Sequence, residues 1–218
     1  VATLWGGKIR FTSAMLFAIG LLSMFVMGGL SGVTMGTAPF DVHVHDTYYV
    51  VGHFHYVLFG GSVFGIYAGI YHWFPKITGR MMNETWGRIH FILTFIGTNL
   101  TFLPMHKLGL QGMPRRVAMY DPQFASLNQL CTIGAILLGI TIGAILLGIS
   151  VIPFALNAIY SWQKGEIAGD NPWESLTLEW TTSSPPMIEN WEVLPVVTHG
   201  PYDYGHHQEE SSVTEAIS

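Results

Sequence analysis

Four apolar stretches dominate this chain of 218 residues and restrict what it can fold into. They run about 12 to 35, 47 to 74, 84 to 104 and 126 to 161. Each is long enough to cross a bilayer core of about 30 Å, which takes roughly 20 helical residues. Lipid cannot satisfy an open backbone, so membrane spans of this kind are helices. We therefore predict an all-α fold, part of a polytopic membrane helix bundle with four transmembrane helices.

The end of the chain, residues 163–218, differs sharply from the apolar part. It holds ten acidic residues and a single basic residue, Lys164, and it is interrupted by prolines and polar clusters. Such composition is typical of largely irregular chain. We therefore divide the protein into a transmembrane part, residues 1–162, and a polar C-terminal tail.

The basic residues predict the orientation of the spans. If the four spans alternate, one side receives Lys8, Arg10, Lys76, Arg80 and Lys164. The positive-inside rule assigns that side to the cytoplasm, which makes the tail cytoplasmic. The chain begins at Val1 without a signal-peptide pattern, so we interpret it as a fragment of a longer protein.

The last apolar stretch contains an exact repeat. The nine residues 132–140 recur without change as 141–149. Nine extra helical residues add about 13.5 Å, so the stretch exceeds a bilayer core. The repeat is either a tandem duplication, natural or artefactual, or an adapted longer span. We expect only one of the segments 132–140 and 150–158 to occupy the usual place in the bundle.

Two histidines, His53 and His55, lie inside the second apolar stretch. Each helical residue advances about 100°, so the two rings point roughly 200° apart, towards different neighbours. One metal held by one helix would instead use ligands at i and i+3 or i+4. Ionisable residues at membrane depth are usually functional, and neutral imidazole is a standard haem ligand. The spacing predicts two cofactors flanking one helix with Phe54 between them, although either histidine alone is compatible with a hydrogen-bonded core residue.

Further polar residues lie outside the spans, on the side opposite the cytoplasm. His45 with Asp46 suits a hard cation such as magnesium, whose octahedral shell water or another chain must complete. The alternative is that Asp46 caps a helix and His45 is merely exposed. In the other loop on this side, Arg115 and Arg116 break the positive-inside rule. Paired guanidinium groups suit haem propionates, although a solvated basic loop is the alternative.

Three motifs, taken in order, resemble subunit I of the haem-copper cytochrome c oxidases. They are His-Asp-Thr-Tyr-Tyr-Val-Val-Gly-His-Phe-His-Tyr at 45–56, His-Trp-Phe-Pro at 72–75, and Leu-Gly-Leu-Gln-Gly-Met-Pro-Arg-Arg at 108–116. The resemblance covers the C-terminal third or more of such a subunit. Parts of the tail resemble bacterial and especially cyanobacterial versions, which implies the bacterial plasma membrane or a thylakoid membrane.

The resemblance implies roles for particular residues. His53 would bind the iron of the high-spin haem and His55 the iron of the low-spin haem, with Phe54 between the two haems. His45 and Asp46 would hold magnesium or manganese. The haem propionates would be bound by the remaining three residues of the predicted site, Asp41, Arg115 and Arg116.

The resemblance also implies an activity: reduction of O₂ to water with electrons from cytochrome c or a similar small donor, coupled to proton pumping. The implied cofactors are two haems of the haem A type, copper with its ligands outside this chain, and magnesium. The implied partners are the missing N-terminal part of the subunit, subunit II with its copper centre, subunit III, cytochrome c and membrane lipid, without nucleic acid. A chain lacking the copper ligands is expected to be inactive alone.

Two alternatives stay open. A quinol oxidase or nitric oxide reductase of the same superfamily is disfavoured by Asp46 and Pro114, which quinol oxidases usually alter. A proton or metal transporter with intramembrane histidines belongs to a different class. Transporters often show inverted repeats, and the sequence has no such repeat.

Overall fold

The computed structural model describes residues 1–138, 149–191, 194–198, 200, 201 and 203. Within these ranges every regular element is a helix, so the all-α prediction is confirmed. Most of the second copy of the repeat falls on residues 139–148, and both this segment and residues 204–218 lie outside the described residues.

Seven α-helices follow one another along the described chain. They are α1 (Ser13–Met35), α2 (Ala38–Val44), α3 (Tyr48–Phe54), α4 (Phe64–Thr78), α5 (Glu84–Leu110), α6 (Ala125–Leu138) and α7 (Val151–Lys164). A π-helical segment, His55–Val63, joins α3 to α4, and short 3₁₀ turns lie at Pro122–Phe124 and Leu178–Trp180.

Among the described residues, two helical stretches have the length and apolar character to cross a membrane. They are α1, with a mean hydropathy of 2.0, and the continuous helical stretch Tyr48–Thr78, with a mean hydropathy of 1.2. The third predicted span lies in α5, which is 27 residues long. The fourth is described in two parts, α6 and α7. Four membrane crossings therefore stay a prediction.

The beginnings of α1 and α5 are tied together by side-chain hydrogen bonds. The Thr12 hydroxyl oxygen accepts the Met15 N–H at 3.3 Å and so caps α1. Glu84 Oε2 accepts from both the backbone N–H and the hydroxyl of Ser13, each at 2.7 Å. Asn83 caps α5 by accepting the N–H groups of Thr85 and Trp86. The contacts satisfy N–H groups that the first turns of both helices leave open.

The chain divides into two compact units, of which the larger comprises Val1–His72 and Asn83–Tyr160. Glycines let its helices approach closely. A Cβ added at Gly60 would overlap Met24 of α1, and one at Gly109 would overlap the Tyr49 backbone of α3. A cluster of packed rings joins α1, α4, α5 and α7: Phe17, Phe64, Tyr67, Tyr71, His90, Phe91 and Phe154.

The smaller unit comprises Trp73–Met82 and Ser161–Ser218. Its centre is the buried Lys76, whose ammonium donates to three backbone carbonyls of the tail and lies 5.0 Å from the centroid of the Trp180 ring. Two further links are the hydrogen bonds from Met81 N to Glu166 O and from Ala168 N to Gly79 O. A second cation, Arg80, donates from Nη1 to the Gly165 carbonyl at 2.7 Å, so the described part of the tail is held largely by hydrogen bonds to its backbone.

Candidate functional site

His53 lies in α3 with its ring against α1. Its Nδ1 atom is 2.9 Å from the Gly28 carbonyl oxygen and 3.0 Å from the Ser31 hydroxyl. A carbonyl oxygen can only accept, so the ring proton is on Nδ1 and the lone pair is on Nε2. The absence of a side chain at Gly32 makes room for the ring, because a Cβ there would be 2.8 Å from His53 Cε1.

His55 begins the π-helical segment, and its ring faces α5. Its Nδ1 atom is 2.8 Å from the Val51 carbonyl oxygen, so the proton is again on Nδ1 and the lone pair on Nε2. The ring stacks on Phe102, with centroids 4.2 Å apart and an interplanar angle of 11°. The two imidazoles thus lie against two different helices.

The donor chemistry of both rings fits iron-binding imidazoles. A metal-ligating histidine almost always donates its other ring N–H to a carboxylate, a carbonyl or water, and this bond orients the ring. His53 and His55 each have such a carbonyl acceptor. The centroid of the Phe54 ring lies 4.4 Å from the centroid of the His55 ring. We expected ordinary α-helix here, whereas the structure has the wider π turns that recur at functional sites.

His45 and Asp46 lie together just before α3, where both are exposed. His45 Nε2 is 3.4 Å from Asp46 Oδ2. Neighbouring ligands of an octahedral magnesium ion are about 3.0 Å apart, because each is about 2.1 Å from the metal. A small adjustment would therefore let both atoms hold one ion. Among the described residues no group of three or more His, Cys, Asp or Glu side chains surrounds a common point, so these two residues would not complete a shell alone.

Arg115 joins this pair from the loop after α5. Its Nε donates to Asp46 Oδ1 at 2.8 Å, its Nη2 donates to the same oxygen, and its backbone N–H donates to the Asp46 carbonyl at 2.9 Å. An antiparallel bridge between Thr47 and Pro114 aligns the two segments. The Arg115 hydrogen bond is the largest influence on the Asp46 carboxyl and lowers its pKa, with smaller contributions from the charges of Arg115, His45 and Arg116.

The other two predicted residues lie at the edge of this cluster. Asp41, in α2, has its Oδ2 atom 4.0 Å from His45 Nδ1. Arg116 is exposed and has a φ of 63°. The alternative in which Asp46 caps a helix is wrong: the cap of α3 is Thr47, whose hydroxyl accepts the Tyr49 N–H at 3.2 Å. Asp46 has a φ of 58°, a left-handed conformation that aspartate tolerates better than most residues.

Several partners of the histidines were not predicted. Ser31 lies between Gly28 and Gly32, and small residues at this spacing indicate close helix contact, not a histidine acceptor. Phe102 is an ordinary apolar residue of its stretch. A third imidazole, His106, has its Nδ1 atom 3.2 Å from the Phe102 carbonyl and lines a cavity of about 250 Å³ together with Ser31 and Tyr49.

Residues 1–137 match the model of the family described as Cytochrome C and Quinol oxidase polypeptide I. The chain belongs to this family. The predicted resemblance to haem-copper oxidases is therefore confirmed for this oxidase polypeptide.

Individual relatives agree. The cytochrome c oxidase subunit 1 of the cyanobacterium Thermostichus vulcanus is 73% identical over 215 residues, which are 99% of this chain and 37% of the relative. The protein of the same name from Synechocystis sp. is 63% identical over 203 residues, which are 93% of this chain and 35% of the relative. This oxidase polypeptide thus spans about a third of the length of the curated relatives it matches.

A solved structure supports the fold. It is described as a cryo-EM structure of a heme-copper terminal oxidase dimer, and its match covers 71% of this chain and 27% of the solved chain. The TM-score is 0.59 and the sequence identity is 20%, so this likeness concerns the fold alone.

Proposed function

We propose that this oxidase polypeptide is part of the catalytic subunit of a terminal respiratory oxidase. The whole enzyme would reduce O₂ to water with electrons from cytochrome c or a similar small donor and couple this to proton pumping. The observation that carries the proposal is the pair of imidazoles on one helical stretch, each with Nδ1 bonded to a backbone carbonyl and Nε2 left for a metal. The chain alone is expected to be inactive, because the copper ligands would lie outside it.

His53 would hold the iron of the high-spin haem and His55 the iron of the low-spin haem. When bound, the two irons supply electron transfer and the position at which O₂ is reduced. The protein supplies the rest: Gly28, Ser31 and the Val51 carbonyl hold the ring protons on Nδ1 and so keep each Nε2 lone pair free. Phe54 would occupy the short path between the haems.

The cluster outside the spans would hold a cation and the haem edges. His45 and Asp46 would bind magnesium or manganese, and Asp41, Arg115 and Arg116 would bind propionates directly or through water. Arg115 can serve both groups at once, because a guanidinium has five N–H donors and Asp46 takes only two of them.

Four membrane spans with a cytoplasmic tail suit this role, in a bacterial plasma membrane or a thylakoid membrane. The apolar character of α1 and of Tyr48–Thr78 supports two of these spans. The partners would be the remainder of the subunit, subunit II with its copper centre, subunit III and the electron donor. The haems would be of the haem A type.

A quinol oxidase is the second candidate, because the description of the matching family includes quinol oxidases. The names of the relatives from Thermostichus vulcanus and Synechocystis favour cytochrome c as donor. Family membership favours either oxidase over a transporter.

Optical spectroscopy tests the haem assignments. Membranes bearing the full-length protein are compared as reduced-minus-oxidised spectra, with and without carbon monoxide. We expect His55→Ala to lose the low-spin signal and retain the signal that carbon monoxide shifts, and His53→Ala to lose the latter. His43→Gln, an exposed histidine on α2, is the matched control and should change neither signal. The absence of any haem signal from the unaltered protein would refute the redox function.

The cation site has its own test. Cells grown with manganese should yield an enzyme whose bound manganese is visible by electron paramagnetic resonance. Asp46→Asn is expected to reduce that signal, whereas His43→Gln should not. Unchanged manganese in Asp46→Asn would remove Asp46 from the site without affecting the haem assignments.

A further inference from the structure

Phe102 makes the closest ring contact with His55. The two centroids are 4.2 Å apart, and the rings are within 11° of parallel. Phe102 is only 3% exposed, so its ring has little freedom to move away. A phenyl ring this close and this nearly parallel covers one face of the imidazole.

The His55 ring is also held at one edge by a hydrogen bond. The Val51 carbonyl accepts from His55 Nδ1 at 2.8 Å and therefore fixes the direction of that edge. The Phe102 carbonyl accepts from His106 Nδ1 at 3.2 Å, which ties this turn of α5 to a second imidazole. With the Val51 hydrogen bond alone, the His55 ring could rotate about the line that joins its Nδ1 atom to the Val51 carbonyl oxygen. The face of the Phe102 ring opposes that rotation.

We propose that Phe102 is a positioning residue that sets the plane of the His55 imidazole. The proposal rests on the proposed function, in which His55 binds the low-spin haem iron through Nε2. The plane of an axial imidazole determines which iron orbitals it overlaps, and the environment of an axial ligand is one means by which a protein tunes a haem. Phe102 would act through His55 without contacting the iron.

The test uses the complete oxidase with Phe102→Leu, which keeps an apolar side chain but cannot stack. Phe95→Leu is the matched control, because Phe95 is another phenylalanine of α5, is half-buried, and packs with Phe64 and Phe91 instead of with His55. Phe102→Tyr keeps the ring and serves as the conservative variant. The readouts are the g-values of the oxidised low-spin haem by electron paramagnetic resonance and its midpoint potential by redox titration, with haem content measured separately.

We expect Phe102→Leu to shift the largest g-value and the midpoint potential, or to lose the low-spin haem. Phe102→Tyr and Phe95→Leu should retain the unaltered values. Unchanged g-values and potential in Phe102→Leu would overturn the proposal, as would equal effects of Phe102→Leu and Phe95→Leu. Failure of the proposed function would look different: a low-spin haem that persists in His55→Ala shows that His55 is not its ligand.

Discussion

Replacement of Lys76 by methionine should loosen the tail from the end of α4. Methionine keeps an unbranched apolar stem of similar length, so the change removes the ammonium and little else. The ammonium donates to the carbonyl oxygens of Thr182 at 2.7 Å, Asp170 at 3.0 Å and Ser183 at 3.3 Å. It also lies over the Trp180 ring.

The free energy lost in Lys76→Met depends on which of the three carbonyl acceptors can hydrogen-bond to water instead. Asp170 and Ser183 are exposed residues, so their carbonyls return to solvent at little cost, whereas Thr182 is buried. A hydrogen bond from a charged donor contributes about 1.5–3 kcal/mol net, and the Thr182 bond accounts for most of it. The cation–π contact with Trp180 adds about 0.5–1 kcal/mol. The loss is thus about 3 kcal/mol, which raises the open population of the tail about a hundredfold.

Limited proteolysis by chymotrypsin measures this population, because cleavage beside the buried Trp180 requires local opening. Chymotrypsin is preferable to trypsin, since the substitution itself removes a tryptic site. Lys164→Met is the matched control: Lys164 is exposed, and the charge change is the same. A cleavage rate in Lys76→Met within about threefold of the unaltered protein would contradict this role of the Lys76 ammonium, because it corresponds to less than about 0.7 kcal/mol. Equal acceleration by Lys164→Met would also refute it.

Two further predictions concern the larger unit. Gly109→Ala should lower the thermal unfolding temperature of the purified protein, because the new Cβ would overlap the Tyr49 backbone and overpacking costs about 1–3 kcal/mol. The control is Gly29→Ala, which should not lower the unfolding temperature, because no atom lies within 4 Å of its new Cβ. The second prediction concerns Asp46, whose pKa in the folded protein is lowered from the ordinary aspartate value of 3.8. Its ion pair with Arg115 is therefore intact at pH 3.8 and above, and it is lost only as the pH falls through the lowered pKa of Asp46. In an infrared pH titration, the carboxylic acid band that Asp46→Asn removes should appear below pH 3.8, and Arg115→Gln should move it to higher pH.

The spacing of His53 and His55 shows what helix periodicity alone can predict. Two residues at i and i+2 on a helix point to different sides whatever surrounds them, and the structure places His53 against α1 and His55 against α5. The π-helical segment was not predicted, because its apolar residues fit an ordinary helical pattern equally well. The Asp46 and Arg115 pair was predicted as two separate groups on one side of the membrane, whereas its direct hydrogen bonds join residues 69 positions apart.

The helical class, the apolar stretches and the presence of two imidazoles on one helix all follow from the order of residues along the chain. These properties depend on backbone periodicity and on the length of chain needed to cross a bilayer, both of which are local. The packing of separate helices decided which groups each imidazole contacts: Ser31, 22 residues before His53, and Phe102 on α5. It also decided that Lys76 is enclosed by tail carbonyls. Such contacts depend on how separate helices and loops pack, and no single stretch of residues encodes that packing.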